Sequence, residues 1–151
     1  MNKGFTLIEI IVVIAIIAVL SSVILFSVTQ YINKSKDSNI AGNLAVLVPA
    51  GEVYYNGNNK SSYAGFCSSN VIINAISQMP VKLQDFCGNK AGLCCFENPA
   101  NDQSWVACAQ EFANKKYAFC VDSRGIKKDI CNKNCVSTMT QCPNDVLSGC
   151  E

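Results

Sequence analysis

Gly4 to Phe26 reads GFTLIEIIVVIAIIAVLSSVILF. Past Glu9, residues Ile10 to Leu20 carry no polar side chain, and Val23 to Phe26 resume the apolar run after Ser21 and Ser22. A helix through Phe5 to Val28 would be about 36 Å long, against a hydrocarbon core of roughly 30 Å. The run is therefore long enough to span a membrane. Glu9 is its one acid. A charge near a bilayer centre costs roughly 2.5–3.5 kcal/mol and less toward the edge, so an acid kept here needs a partner. A secretory signal peptide carries an apolar core of roughly 7–15 residues before an A-x-A-like site. This run is longer, and Ala18-Val19-Leu20 fits that site poorly. A plain membrane anchor accommodates any apolar sequence and leaves Glu9 without a purpose.

The chain beyond Phe26 turns polar without breaking the helix. Thr29 to Asn39 contains no proline or glycine. Ile40, Leu44, Leu47, Gly51 and Tyr54 recur at steps of three or four, which places them on one face. Lys34, Lys36 and Asp37 are expected to face water. Gly42 costs the helix about 1 kcal/mol relative to alanine. Pro49 lacks the backbone donor and clashes with the preceding turn, so it kinks or ends a helix. The stripe continuing to Tyr54 favours a kink. Asn56-Gly57-Asn58-Asn59 is a stop signal, so the helix should run from Phe5 to about Tyr55.

The remainder is a small domain rich in cysteine. All ten cysteines, Cys67, Cys87, Cys94, Cys95, Cys108, Cys120, Cys131, Cys135, Cys142 and Cys150, lie beyond the helix. An even number of cysteines in a small domain beyond a membrane segment reads as disulfides in an oxidising compartment. Connectivity is not readable, since ten cysteines allow roughly 900 pairings. Zinc is the competing reading. Paired C-x2-C knuckles and histidine are both absent, which argues against any metal or cofactor. Without histidine the chain also lacks the usual general base, and neither a G-x-S-x-G elbow nor a glycine-rich phosphate loop is present. The sequence therefore reads as that of a non-enzyme. Its 12 basic and 11 acidic residues give no global bias toward nucleic acid. Lys115, Lys116, Lys127 and Lys128 are the weak exception.

Within the head, Ser68 or Ser69 can cap a short helix carrying Val71, Ile72, Ala75, Ile76 and Met79, which Pro80 ends. Leu93 to Glu97 is expected as a strand. Ser104 to Glu111 and Tyr117 to Ser123 should form a hairpin around Asn114-Lys115-Lys116. Asp122-Ser123-Arg124-Gly125 reads as a turn. The tail from Arg124 should be loop held by bridges. Trp105, Tyr63 and Phe66 are expected in the core rather than as adhesive surface aromatics. The fold class is α+β: a long N-terminal spine helix, membrane-spanning in its first half, packed on a small antiparallel sheet, with a disulfide-rich C-terminal region.

Gly4-Phe5-Thr6-Leu7-Ile8-Glu9, at the end of the short leader Met1-Asn2-Lys3-Gly4 and before an apolar helix, resembles the processing site of type IV prepilins. The resemblance is close over residues 1–30, weaker to about 56 and architectural beyond. It implies cleavage after Gly4 by a prepilin peptidase, methylation of the new Phe5 amine, and pairing of Glu9 with a neighbour's Phe5 ammonium during assembly. The expected organisation is a leader at 1–4, a transmembrane half-helix at 5–28, an amphipathic half-helix at 29–56 and a head at 57–151. The implied partners are the same or other pilins in a filament, the peptidase, a pilus assembly platform and the membrane. DNA is weakly supported as a partner. The head would be extracytoplasmic before assembly and part of a surface filament after it. A pseudopilin of a secretion or DNA-uptake machine has the same N-terminus. Secretion pseudopilins often carry a calcium loop, and no D-x-D-x-D-G pattern occurs here. A tethered binding module that never assembles is the alternative of a different class.

Bridges should dominate the stability of so small a head, each contributing about 2–4 kcal/mol. Thiol labelling of the denatured, unreduced chain is expected to modify only a minority of the ten cysteines. Labelling of most of them would overturn the oxidising location.

Overall fold

The computed structural model describes residues 4–57, 61–80, 92–135, 138–143 and 150. The spine helix α1 occupies Leu7–Gly57, 51 residues and about 76 Å at the usual rise per residue. It does not end at Pro49, whose ring lies on the exposed side of the helix. The missing donor is therefore lost where water can serve the orphaned carbonyl.

The helix buries one stripe only. Ile40, Leu44, Leu47 and Gly51 are inaccessible to solvent, as their spacing requires. The short helix α2, Asn70–Ser77, packs beside them through Ile72. Ser69 occupies its N-cap position, but the hydroxyl donates to the Phe66 carbonyl at 2.6 Å rather than capping the helix. The sheet is an antiparallel meander in sequence order: β1 Leu93–Glu97, β2 Trp105–Gln110, β3 Tyr117–Asp122 and β4 Lys127–Cys131. The fourth strand corrects the expectation that the tail from Arg124 is loop. The turn at residues 122–125 was legible, with Gly125 at φ +80° closing it. The charged run KKDIC hid the strand that follows. β4 pairs with β3 on one side only, and an edge strand tolerates lysines because they discourage pairing with other chains.

The register assigns every strand residue to a face. Leu93, Ala109, Phe119 and Asp129 stand in one row, and Cys94, Cys108, Cys120 and Lys128 in the next. Because side chains alternate across a sheet, these rows point to opposite sides. The first side carries Trp105, Ala107, Ala109 and Val121 onto the α1 stripe. The second packs Val106, Cys108, Ala118, Cys120 and Ile130 under Cys135, Met139 and Cys142 of the C-terminal segment. The sheet is thus the middle of three layers, which explains why Trp105 to Ala109 are buried without alternation.

Trp105, Phe66 and Tyr63 are core residues, as expected. The Phe66 and Trp105 rings lie 4.8 Å apart, and Tyr63 donates its hydroxyl to Glu52 Oε1 on the spine at 2.8 Å. Trp105 reaches the spine at Gly51. A Cβ there would stand 2.7 Å from Trp105 Nε1 and 3.0 Å from two other indole atoms. The same indole N–H is buried and has no acceptor among the described residues. The absence of a side chain at position 51 lets the helix and sheet close to this distance.

Gly51→Ala would improve helix propensity but overfill that contact. Overpacking costs about 1–3 kcal/mol, more than the ~1 kcal/mol of propensity regained. The expected net result is a lower melting temperature in detergent, read by the near-ultraviolet signal of Trp105. An unchanged or raised value would show that the indole moves freely.

Candidate functional site

The sequence places the chemistry-bearing residues at the start of the spine. Thr6 and Glu9 form a reciprocal cap there. The Thr6 N–H and hydroxyl both donate to Glu9 Oε2 at 2.8 Å, and the Glu9 N–H donates to Thr6 Oγ1 at 3.4 Å. This is the Thr-x-x-Glu capping box, in which a threonine and a glutamate each satisfy a donor that the first helical turn leaves open. The signal was present in Thr6-Leu7-Ile8-Glu9. Reading Glu9 as a buried charge does not reveal it, because the capping role depends on the spacing from Thr6 and not on the apolar surroundings. The carboxylate has a partner within its own chain, and the hydrogen bonds among the described residues use only one of its oxygens.

Gly4, Phe5 and Glu9 lie together at the exposed tip of the helix, away from the head. Phe5 is 83% exposed, and no atom lies within 4 Å of where a Gly4 side chain would begin. Residues 1–3 of the expected leader fall outside the described residues. From Leu7 to Ile32 every large apolar side chain is exposed, and the most apolar 18-residue window, mean hydropathy 3.1, contains no buried residue. α1 is long and apolar enough to cross a membrane. Such a surface in water would be a severe liability, so it requires lipid or other protein.

The cysteines sort by layer. Cys67–Cys95 ties the loop before α2 to β1. Cys108–Cys120 joins opposed residues of β2 and β3 on the other face, and Cys131–Cys150 closes the tail. Cys94 and Cys135 are also disulfide-bonded. The neighbours Cys94 and Cys95 serve opposite faces, as alternation requires. Cys142 differs from the expectation of a bridge. Its thiol is free and buried, and burial, with the Asp122 carboxylate beside it, pushes it up to about 12. A thiol held protonated is unreactive. Cys87 lies outside the described residues.

Asp122 is the one fully buried acid among the described residues. It accepts from Arg124 Nε at 3.0 Å and Nη2 at 2.5 Å, and from the Cys142 N–H at 2.9 Å. Burial alone would raise its carboxyl. The Arg124 guanidinium and the backbone donors outweigh that and hold it below the ordinary value. Asp122 thereby fastens the C-terminal layer to the β3–β4 turn.

The four lysines do not form one patch. Lys115 and Lys116 lie in the β2–β3 connection, beside Asn132, whereas Lys127 and Lys128 open β4 opposite Val121 and Cys120. The pairs sit at opposite ends of the β3–β4 ladder, about 14 Å apart at four residues of strand rise. Lys127 and Lys128 also point to opposite faces. Among the described residues no three His, Cys, Asp or Glu side chains converge to hold a metal ion.

An exposed apolar spine, capped at its tip by a motif threonine and glutamate and carrying a disulfide-braced sheet, defines a class of anchored or assembling proteins. The family model for the prokaryotic N-terminal methylation motif matches residues 1–25, so the chain carries the methylation motif of prokaryotic type IV pilins. A type IV major alpha-pilin of Moraxella bovis is 49% identical over 44 residues. That match covers 29% of this chain and 28% of the relative's length. No solved structure matches the chain.

Thr6→Ala removes the cap oxygen. Loss of such a cap costs about 1 kcal/mol, confined to the first turn. Amide exchange at Leu7 to Ile10 in detergent micelles is expected to accelerate about fivefold, with the melting of the head unchanged. Unaltered exchange in that turn would show that the cap contributes nothing.

Proposed function

We propose that this chain is a structural subunit, a pilin that rests in the membrane by the first half of α1 and then assembles into a surface filament through the same helix. The observation that carries the reading is an unburied apolar half-helix that begins in a methylation motif. In this reading the peptidase cuts between Gly4 and Phe5 and the new amine is methylated. Extraction toward a platform exchanges lipid contacts for neighbouring apolar helices. The Glu9 carboxylate, its Oε2 occupied by Thr6, uses its other oxygen for the Phe5 ammonium of a neighbour. A charge pair in such surroundings loses much of its attraction to desolvation, so its larger contribution is register. A pseudopilin would use the same steps for a shorter filament. The second reading, a tethered module that does not assemble, gains support from the capping box, since the cap occupies Glu9 without any neighbour.

Two measurements test this. Intact mass of the mature protein should equal the chain from Phe5 plus one methyl group. A chain still beginning at Met1 would overturn processing. Glu9→Leu should leave the protein in the membrane with its head folded, while the amount recovered in the sheared surface fraction falls at least tenfold. Equal recovery from wild type and Glu9→Leu would exclude Glu9 from subunit recruitment and favour the tethered module. Thr6→Ala separates capping from recruitment, because it weakens the cap and keeps the carboxylate.

A further inference from the structure

The spine and the β2–β3 connection meet at a second place, away from the Gly51 contact. Asp37, expected to face only water, accepts from the Phe112 N–H through Oδ1 at 2.6 Å and from the Ala113 N–H through Oδ2 at 3.0 Å. One carboxylate of α1 thus holds the hairpin end. Beside this tie is a cavity of about 240 Å³ lined by Asp37, Ser38, Ile40, Ala41, Glu111, Phe119 and Asp129. Among the described residues its charged lining is three carboxyls and no cation.

Glu111 is the residue between the other two acids. It directly follows β2, with its N–H donating to the Tyr117 carbonyl of β3 at 3.0 Å. Its side chain points to the spine face, where it lines the same cavity as the Asp129 carboxyl of β4. Two carboxyls share a hydrogen bond only with a proton between them. From α1, Asp37 faces the same space, while the neighbouring Lys36 directs its ammonium over the Phe112 ring at 4.8 Å from the centroid. From β4, Lys127 shares the face of Asp129 one pleat away. From β3, Tyr117 meets Glu111 through its backbone carbonyl, and Phe119 supplies apolar wall.

We propose that Glu111 is a pH-sensitive latch between spine and head: protonated, it bridges to Asp129 and leaves Asp37 free to hold the Phe112 and Ala113 amides, and ionised, it repels both acids and loosens the hairpin from the spine. The tie lies within one chain and does not depend on assembly. Burial and the Asp129 and Asp37 carboxylates push the Glu111 carboxyl up to about 7 from an ordinary 4.5. The unfolded chain therefore loses this proton first. Stability from the latch is complete below about pH 4.5, declines as pH rises, and is gone once the folded chain ionises near pH 7.

Hydrogen exchange on the full chain in detergent micelles tests the latch between pH 5.5 and 8.5, with rates corrected for the pH dependence of exchange itself. Protection at Phe112 and Ala113 is expected to fall about tenfold across that range, while Val106 to Ala109 in β2 keep theirs. Glu111→Gln, which retains a donor toward Asp129 and cannot ionise, should abolish the fall. Asp129→Asn should shrink it or move it to lower pH, and this variant decides the matter if Glu111→Gln does not fold. Constant protection in the wild type, or an equal fall in the variants, overturns the proposal.

Discussion

One helix must serve two surroundings, and the closeness of Gly51 to Trp105 makes this workable. The stripe Ile40, Leu44, Leu47 and Gly51 is what α1 buries fully against the head. Without a side chain at position 51, the indole fills the space against the helix backbone. That approach brings Phe66, Ala107 and Val121 into one core with the spine. Buried apolar area of this kind is the main favourable contribution to a domain this small. The large apolar side chains from Leu7 to Ile32 are all left exposed, so the same helix that is a core element in its second half is an unsatisfied apolar surface in its first.

The middle position of the sheet sets the pattern of cross-links. A sheet covered on one side by a helix would ordinarily show water its other face. Here the second face is covered by Cys135, Met139 and Cys142, which lie in no helix or strand and so are not held by hydrogen-bonded periodicity. This layer is held instead by disulfides and by Asp122, whose carboxylate gathers the Arg124 guanidinium and the Cys142 amide. A buried carboxylate with that many donors is stable as an anion, whereas removing the donors would leave an uncompensated charge. The free Cys142 thiol beside it is kept protonated by the same negative charge and by burial.

At the other end of the molecule, Glu9 has two claims on it. The capping box occupies one oxygen and stabilises the first turn, where the helix has donors and no acceptors of its own. In lipid that satisfaction is worth keeping, because water is scarce. The other Glu9 oxygen takes no hydrogen bond among the described residues, and under the proposed assembly it is the one open to a neighbour's ammonium.

Periodicity alone determined the spine, its buried stripe and its exposed apolar half, since a spacing of three and four residues leaves one geometric solution. The motif from Gly4 to Glu9 was legible because it is a local pattern tied to the start of an apolar run, and β1, β2 and β3 were legible from β-branched and aromatic residues between turn signals. Tertiary structure alone decided the rest. β4 is a strand because β3 offers it a ladder across a tight turn, although KKDIC has no apolar alternation to announce it. Asp37 looks like any solvated acid until the hairpin presents two amides to it. Glu111 and Asp129 lie 18 residues apart in the chain and meet because β3 separates them by one strand. Cys94 and Cys95 divide between two layers because a strand alternates, but only the assembled sheet defines what lies on each side. Contacts of this kind depend on which surfaces the folded chain brings together, and no local pattern in the sequence encodes that.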